Sequence, residues 1–133
     1  MIFVETSAVV AMMLEEDSAK SIITKIREAD TCFTGSHVRL EACMVVSSRR
    51  KLPPLEVNII FDKLIQRAKI SVLAFTDEVA TEAVRAFDTY GKGRNPKTAL
   101  NLADCMSYAF AKTHNLKILY TGTDFQGTDL KAA

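Results

Sequence analysis

The stretch Met1-Ile2-Phe3-Val4-Glu5-Thr6-Ser7-Ala8-Val9-Val10 decides the fold, because it joins a buried strand to a helix. The three residues before Glu5 are apolar, with β-branched and aromatic side chains, which predicts a short buried strand. Thr6 and Ser7 then offer capping hydroxyls to a helix that runs to about Leu14. Glu5 stands at the join. An unpaired carboxylate is costly to bury, so a ligand explains this position better than packing does.

Composition and cysteine usage limit the class of protein. With 133 residues the chain is long enough for one domain, and 48% hydrophobic and 25% charged residues are typical of a soluble globule. A net charge of +1 neither indicates nor excludes a nucleic-acid partner. Cys32, Cys43 and Cys105 form no C-x-x-C pair, which argues against a disulfide framework or a thiolate zinc site and favours reduced thiols in a cytoplasmic protein. We expect no secretory signal and no membrane span, since no apolar run approaches roughly 20 residues.

Strands alternate with helices along the whole chain. We expect strands at 2–4, 31–34, 70–74 and 117–121, and helices at about 7–14, 18–29, 36–51, 54–68, 77–89 and 98–114. This alternation predicts an α/β fold with three layers, in which helices cover both faces of a mainly parallel twisted sheet of four to five strands. No linker, repeat or low-complexity segment divides the chain, so we expect residues 1–133 to form one domain.

Apolar spacings of three and four predict which side of each helix is buried. In the predicted helix at 36–51 the inward positions are Leu40, Cys43, Met44 and Ser47. In the helix at 77–89 they are Val79, Ala83, Val84 and Phe87, and in the helix at 98–114 they are Leu102, Cys105, Met106 and Ala109. His37 and His114 lie at helix ends without partners at metal-ligand spacing, so we expect surface or capping roles for them.

Four acidic residues are predicted to meet at one edge of the sheet. In an open parallel sheet the ligand crevice lies beyond the carboxyl ends of the strands. Glu5 follows the first strand and Asp124 the last, while Glu41 and Asp104 lie near the starts of helices at the same edge. Asn101 precedes Asp104 by three residues and so shares its helix face. Carboxylates this close repel one another unless a cation lies between them, and an all-oxygen set favours Mg²⁺ or Mn²⁺ over zinc.

Three of the four acids also have a purely structural explanation, whereas Glu5 interrupts an apolar stretch at a strand end and is harder to explain in that way. An acid in the first turn of a helix favours the helix dipole, which would account for Glu41 and Asp104, and Asp124 could be a turn residue. Two basic clusters have two possible roles: they could contact RNA phosphates, or they could be ordinary solvated surface. They are Arg49-Arg50-Lys51 and the loop residues Lys92, Arg94 and Lys97.

Segments from both ends and the middle of the chain together carry a family resemblance. They are Ile2-Phe3-Val4-Glu5-Thr6-Ser7-Ala8, the Glu41 helix, Gly91-Lys92-Gly93-Arg94-Asn95-Pro96 leading to Leu100-Asn101-Leu102-Ala103-Asp104-Cys105, and Gly122-Thr123-Asp124-Phe125 with Thr128-Asp129-Leu130. In this order and spacing they resemble the PIN-domain ribonucleases, and more narrowly the VapC toxins of bacterial toxin–antitoxin pairs.

The resemblance implies a PIN-like fold and a Mg²⁺- or Mn²⁺-dependent endoribonuclease. Such a protein is usually a homodimer, held inactive by a VapB-type antitoxin in its acidic groove. The resemblance also implies that Glu5, Glu41, Asp104 and Asp124 are catalytic acids, that Glu5 and Asp104 are metal ligands, and that Thr6, Ser7 and Thr121 are pocket hydroxyls. The metal would polarise a phosphodiester oxygen and help to form hydroxide from water.

Position 5 departs from the family pattern, which has Asp there. The additional methylene of Glu5 moves the carboxylate by roughly 1 Å, and misplacement on that scale can cost on the order of 100-fold in rate. The expected function is therefore RNA cleavage with reduced activity, and the alternative is a PIN-fold protein that binds antitoxin or RNA without cleaving it. A receiver-like phosphotransfer module is a third class, but Lys112 and Lys117 are poorly placed for the lysine that it needs.

Overall fold

Six helices flank a four-stranded sheet in the computed structural model, which describes residues 1–133. The strands are β1 (Ile2–Val4), β2 (Cys32–Gly35), β3 (Ile70–Leu73) and β4 (Lys117–Leu119). The helices are α1 (Thr6–Met13), α2 (Ala19–Glu28), α3 (Ser36–Arg50), α4 (Pro54–Arg67), α5 (Asp77–Tyr90) and α6 (Leu102–Thr113). Every strand and helix predicted from the sequence is present, and the three-layer α/β fold is confirmed.

All four strands are parallel and lie in the order β3-β2-β1-β4. β1 is central, with Ile2 in register with Cys32 on one side and Lys117 on the other. A central parallel strand is covered on both faces, which explains why β1 is an unbroken apolar run. The last residues of the chain also contribute, because Ala132 forms a parallel bridge to Ile118 and covers the free edge of β4.

The core forms around β1. Phe3, Phe61 and Phe110 are completely buried, together with branched aliphatic side chains of α1, α3 and α4. None of the helices is both long enough and apolar enough to cross a lipid bilayer. The three cysteines are free and buried, as predicted, and serve as small apolar side chains of the core.

The predicted inward faces of three helices are partly wrong. Leu40 and Met44 of α3 are 65% and 61% exposed, and Val84, Phe87 and Leu102 are exposed as well. The buried residues of α3 are instead Val38, Ala42, Cys43 and Val46, and those of α5 are Val79 and Ala86. These helices carry apolar residues on more than one side, so periodicity alone does not select a face. The buried side of each helix includes an alanine, which lets a neighbouring helix approach closely.

The predicted surface or capping role is also wrong for His37. Its ring lies nearly parallel to that of Phe110, with centroids 5.3 Å apart, and its Nε2 is 2.8 Å from Ser107 Oγ. Burial lowers the pKa of His37 to about 4, so this imidazole is neutral at neutral pH. His114 does follow α6 directly, with its Nδ1 2.9 Å from the Phe110 carbonyl oxygen.

Candidate active site

Glu5 lies directly after β1 and forms the amino-terminal cap of α1. Its Oε2 accepts hydrogen bonds from the Ser7 N–H (2.7 Å) and the Ser7 hydroxyl (2.6 Å), while Ser7 Oγ accepts one from the Thr121 N–H (2.9 Å). The prediction of hydroxyl caps from Thr6 and Ser7 is therefore wrong, because the charged carboxylate is the stronger acceptor. This arrangement fixes Glu5 at the strand end with only 4% of its surface exposed.

Asp104 is held by a reciprocal capping box at the start of α6. Asn101 Oδ1 accepts a hydrogen bond from the Asp104 N–H (2.9 Å), and Asp104 Oδ2 accepts one from the Asn101 N–H (3.1 Å). Because Asn101 takes the capping position, α6 begins at Leu102 and not near residue 98. Asn101 thus orients the Asp104 carboxylate.

These groups share one cleft of about 310 Å³ at the carboxyl edge of the sheet. Its lining includes Glu5, Thr6, Ser7, Glu41, Asn101, Asp104, Thr121 and Asp124. The structure therefore brings together all four acids and the three hydroxyl residues that the sequence placed at this edge. Lys92, Arg94 and Lys97 do not line the cleft, because they lie on the exposed loop between α5 and α6.

Four further residues line the cleft: Val10, Glu16, Val45 and Arg49. Of these the sequence singles out only Arg49, in a basic cluster that could contact RNA phosphates. Val45 and Arg49 follow Glu41 on α3 by four and eight residues, so helical spacing from Glu41 could have identified both. Glu16 lies in the exposed turn after α1, where no periodicity predicts the path of the chain. Arg49 adds a cation to an otherwise acidic wall.

Burial and neighbouring negative charges raise the pKa values of the two central carboxyl groups, those of Glu5 and Asp104. Burial raises the pKa of Glu5 to about 7; the hydrogen bonds of its helix cap oppose this shift, and Glu41 and Asp104 add to it. Burial likewise raises the pKa of Asp104 to about 6, opposed by its capping box and reinforced by Asp124 and Glu41. Negative charge is therefore costly in this cleft, and a cation among the acids would relieve that cost.

The donor chemistry of the cleft fits a hard divalent cation. Glu5 and Asp104 each use one carboxylate oxygen in a helix cap, which leaves Glu5 Oε1 and Asp104 Oδ1 free, and Thr6 Oγ1 is buried without a partner. No group of three or more His, Cys, Asp or Glu side chains is already arranged to hold a metal ion. The cleft thus supplies oxygen ligands that would have to draw together around an ion.

Comparisons with known proteins first give the class. Residues 2–131 match the model of the PIN domain, so the chain belongs to the PIN-domain family. The structure of VapC20 from Mycobacterium tuberculosis, described as a sarcin-ricin loop cleaving toxin, has a TM-score of 0.78 at 15% identity, over 100% of this chain and 98% of that one. A toxin–antitoxin complex from Klebsiella pneumoniae gives 0.70 at 14% identity, over 97% of this chain and 93% of that one. At these identities the likeness shows the fold.

Curated relatives then define the type within the family. Ribonuclease VapC36 of Mycobacterium tuberculosis is 36% identical over 128 residues, which span 96% of this chain and 90% of the relative. Ribonuclease VapC30 of the same species is 32% identical over 127 residues, which span 96% of this chain and 94% of the relative. The resemblance to VapC-type PIN proteins, predicted from the sequence, is confirmed.

Proposed function

We propose that this chain is the toxin of a type II toxin–antitoxin pair and acts as a metal-dependent endoribonuclease that hydrolyses RNA phosphodiester bonds. The observation that carries the proposal is the convergence of Glu5, Glu41, Asp104 and Asp124 on one cleft at the carboxyl edge of a parallel sheet. The relatives named as ribonucleases support the same activity. The oxygen donors favour Mg²⁺ or Mn²⁺ as the cofactor.

Glu5 and Asp104 would hold the ion through the oxygens that their helix caps leave free. When bound, such an ion polarises a phosphodiester oxygen and makes water a better nucleophile. The N–H groups of Ser7 and Asn101 keep the two carboxylates in fixed orientations, which lowers the cost of ordering them when RNA binds. Arg49, on the α3 side of the cleft, is the cation placed to pair with a substrate phosphate.

Glu41 and Asp124 complete the acidic wall. Both raise the pKa of Asp104, and Glu41 also raises that of Glu5, so their charges act directly on the two proposed ligands. As carboxylates lining the same cleft, they are the groups available to accept a proton from an attacking water. The hydroxyl of Thr6, which has no partner in the fold, is available to bind water or RNA.

The proposed partners are RNA, a VapB-type antitoxin and a second copy of this chain. The structural likeness to a chain of a toxin–antitoxin complex supports an antitoxin partner. Leu40 and Met44 on α3 and Leu55 and Ile59 on α4 are large exposed apolar side chains on two helices that pack together. They provide apolar surface for a protein partner.

Cleavage of RNA with and without metal tests the nuclease proposal. We expect the purified chain, freed of antitoxin, to cleave RNA only when Mg²⁺ or Mn²⁺ is present. Asp104→Asn should abolish cleavage, because it removes a ligand charge. Asp30→Asn is the matched control, since Asp30 is exposed and lies outside the cleft, and it should cleave like the parent. Metal-independent cleavage, or full activity of Asp104→Asn, would refute the assignment.

The length of the Glu5 side chain gives a second comparison. Glu5→Asp should cleave up to about 100-fold faster than the parent, because the shorter side chain restores the residue that the family resemblance implies at this position. If only the Glu5→Asp variant cleaves RNA, the chain with Glu5 lacks the nuclease activity. That outcome would select the alternative function over the nuclease.

A further inference from the structure

We propose that Phe87, in the last turn of α5, and Arg94, on the loop that leads into the acidic cleft, form a stacking platform for an unpaired base of RNA. The inference rests on the proposed ribonuclease function and extends it from the reacting groups to the way in which the strand is held.

The platform consists of an aromatic ring and a guanidinium group at the surface. Arg94 Cζ lies 5.0 Å from the centroid of the Phe87 ring. Phe87 is 43% exposed, and Arg94 is exposed as well. Unpaired RNA bases stack on aromatic rings and on the flat faces of arginine guanidinium groups, and a planar cation over a ring offers both chemistries at one place.

Internal hydrogen bonds fix the loop that carries Arg94. The Asn95 side chain donates to the Thr89 carbonyl oxygen (3.3 Å) and accepts from the Lys97 N–H (2.8 Å). The Arg94 N–H donates to the Gly91 carbonyl oxygen (2.9 Å). A loop that is ordered before binding loses little conformational entropy when a ligand arrives.

The position of the Phe87 ring also depends on the loop. A Cβ added at Gly91 would lie 2.4 Å from Phe87 Cδ1, so the ring packs directly against the backbone there and a larger residue would displace it. At the far end of the loop the Leu100 N–H donates to the Tyr90 carbonyl oxygen (3.1 Å), and Asn101, the next residue, lines the cleft. The platform therefore stands on a closed loop whose last residue adjoins the acids.

The positive charge of the loop favours RNA as the ligand of the platform. Between residues 89 and 101 the chain contains Lys92, Arg94 and Lys97 and no acid, and none of the three cations forms an ion pair. Asp88 is the acid adjacent to Phe87 in the sequence. Within the cleft only Arg49 and the proposed metal ion offset the repulsion between the acids and phosphates, so further cations outside it would help to hold a substrate strand. Three exposed cations around a stacking surface meet that need.

Binding of labelled RNA tests the platform separately from cleavage. The full chain with Asp104→Asn, in Mg²⁺, is titrated into a short single-stranded RNA and into a fully paired duplex of the same sequence. Arg94→Lys keeps the charge but loses the flat face, so it should weaken single-strand binding by about fivefold or more and leave duplex binding unchanged. Phe87→Leu should act in the same way. Arg85→Lys is the matched control, since Arg85 is exposed and paired with Glu82, and it should change neither affinity.

Two results would overturn the inference. Equal weakening of single-strand and duplex binding would mean that Arg94 contributes charge alone. Unchanged RNA binding, together with a change of oligomeric state in sedimentation velocity, would mean that this face binds protein. These outcomes are distinguishable from failure of the nuclease proposal. If the parent chain cleaves RNA but Arg94→Lys binds single strands normally, only the platform is refuted. If the parent does not cleave RNA while Arg94→Lys binds single strands weakly, only the nuclease proposal is refuted.

Discussion

Replacing Glu5 with glutamine should stabilise the metal-free protein at about pH 8 and have little effect near pH 4.5. Burial raises the pKa of Glu5 from 4.5 to about 7, so the folded state holds this proton more tightly than the unfolded chain does. Stability therefore falls as the pH rises from 4.5 to about 7, and the cost is complete above that range. At 1.36 kcal/mol per pKa unit the cost is about 3 kcal/mol. The raised pKa already includes the opposing hydrogen bonds of the helix cap, so replacing the ionised carboxylate with a neutral amide should stabilise the folded state by about 3 kcal/mol.

Urea unfolding in EDTA at the two pH values measures this difference. Glu16→Gln is the control, because Glu16 lines the same cleft but is exposed, and its effect should stay within about 0.5 kcal/mol at either pH. If Glu5→Gln stabilises the protein equally at both pH values, the gain does not come from ionisation. If it destabilises the protein at about pH 8, the cap bonds outweigh the cost of burying the charge. Either result would refute the reasoning.

Mn²⁺ at a hundred times its Kd should stabilise the parent by about 2.7 kcal/mol in thermal unfolding, and Asp104→Asn should lose most of that gain. An equal gain in both would contradict the proposed ligand. His37→Gln should reduce the loss of stability between pH 6.5 and about 4, because with its lowered pKa the folded imidazole stays neutral while the unfolded one takes up a proton. An unchanged slope in urea unfolding would count against this. Asp129→Asn should lower the free energy of unfolding in urea by about 1 kcal/mol, because it weakens hydrogen bonds from Tyr108 and Lys112 of α6. No change would show that these bonds do not stabilise the packing of the carboxyl-terminal segment against α6.

The order and type of the elements could be predicted because they depend on local signals. β1 is an unbroken apolar run, and Thr76 before two acids marks the start of α5, where its hydroxyl does accept the Val79 N–H. The buried faces depend on what packs opposite, which no local signal contains. Leu40 is more apolar than Ala42, yet the alanine is buried, since a small side chain allows close helix packing.

The candidate site was predictable for a related reason. Parallel strands end at a common edge, so an acid after β1 and an acid after β4 must lie near each other once the sheet forms. The hydrogen bonds and packing partners of individual side chains, by contrast, cannot be predicted from the sequence. The sequence predicts that Glu5 precedes a helix capped by the hydroxyls of Thr6 and Ser7, whereas Glu5 is itself the cap. The sequence predicts a surface or capping role for His37 because its partners, Ser107 and Phe110, are about 70 residues away along the chain.

Folding and the proposed chemistry use the same two carboxylates. Glu5 caps α1, and Asp104 completes the capping box that Asn101 begins at the start of α6. Each uses one oxygen, so both acids gain from the amino-terminal end of a helix even though burial disfavours their charge. Replacing Asp104 with alanine would therefore remove a cap and a proposed ligand together, and lost activity would not distinguish misfolding from lost chemistry. Asparagine keeps an acceptor for the capping box and removes only the charge. For this site, amide substitutions are the ones whose effects on activity can be assigned to the missing negative charge.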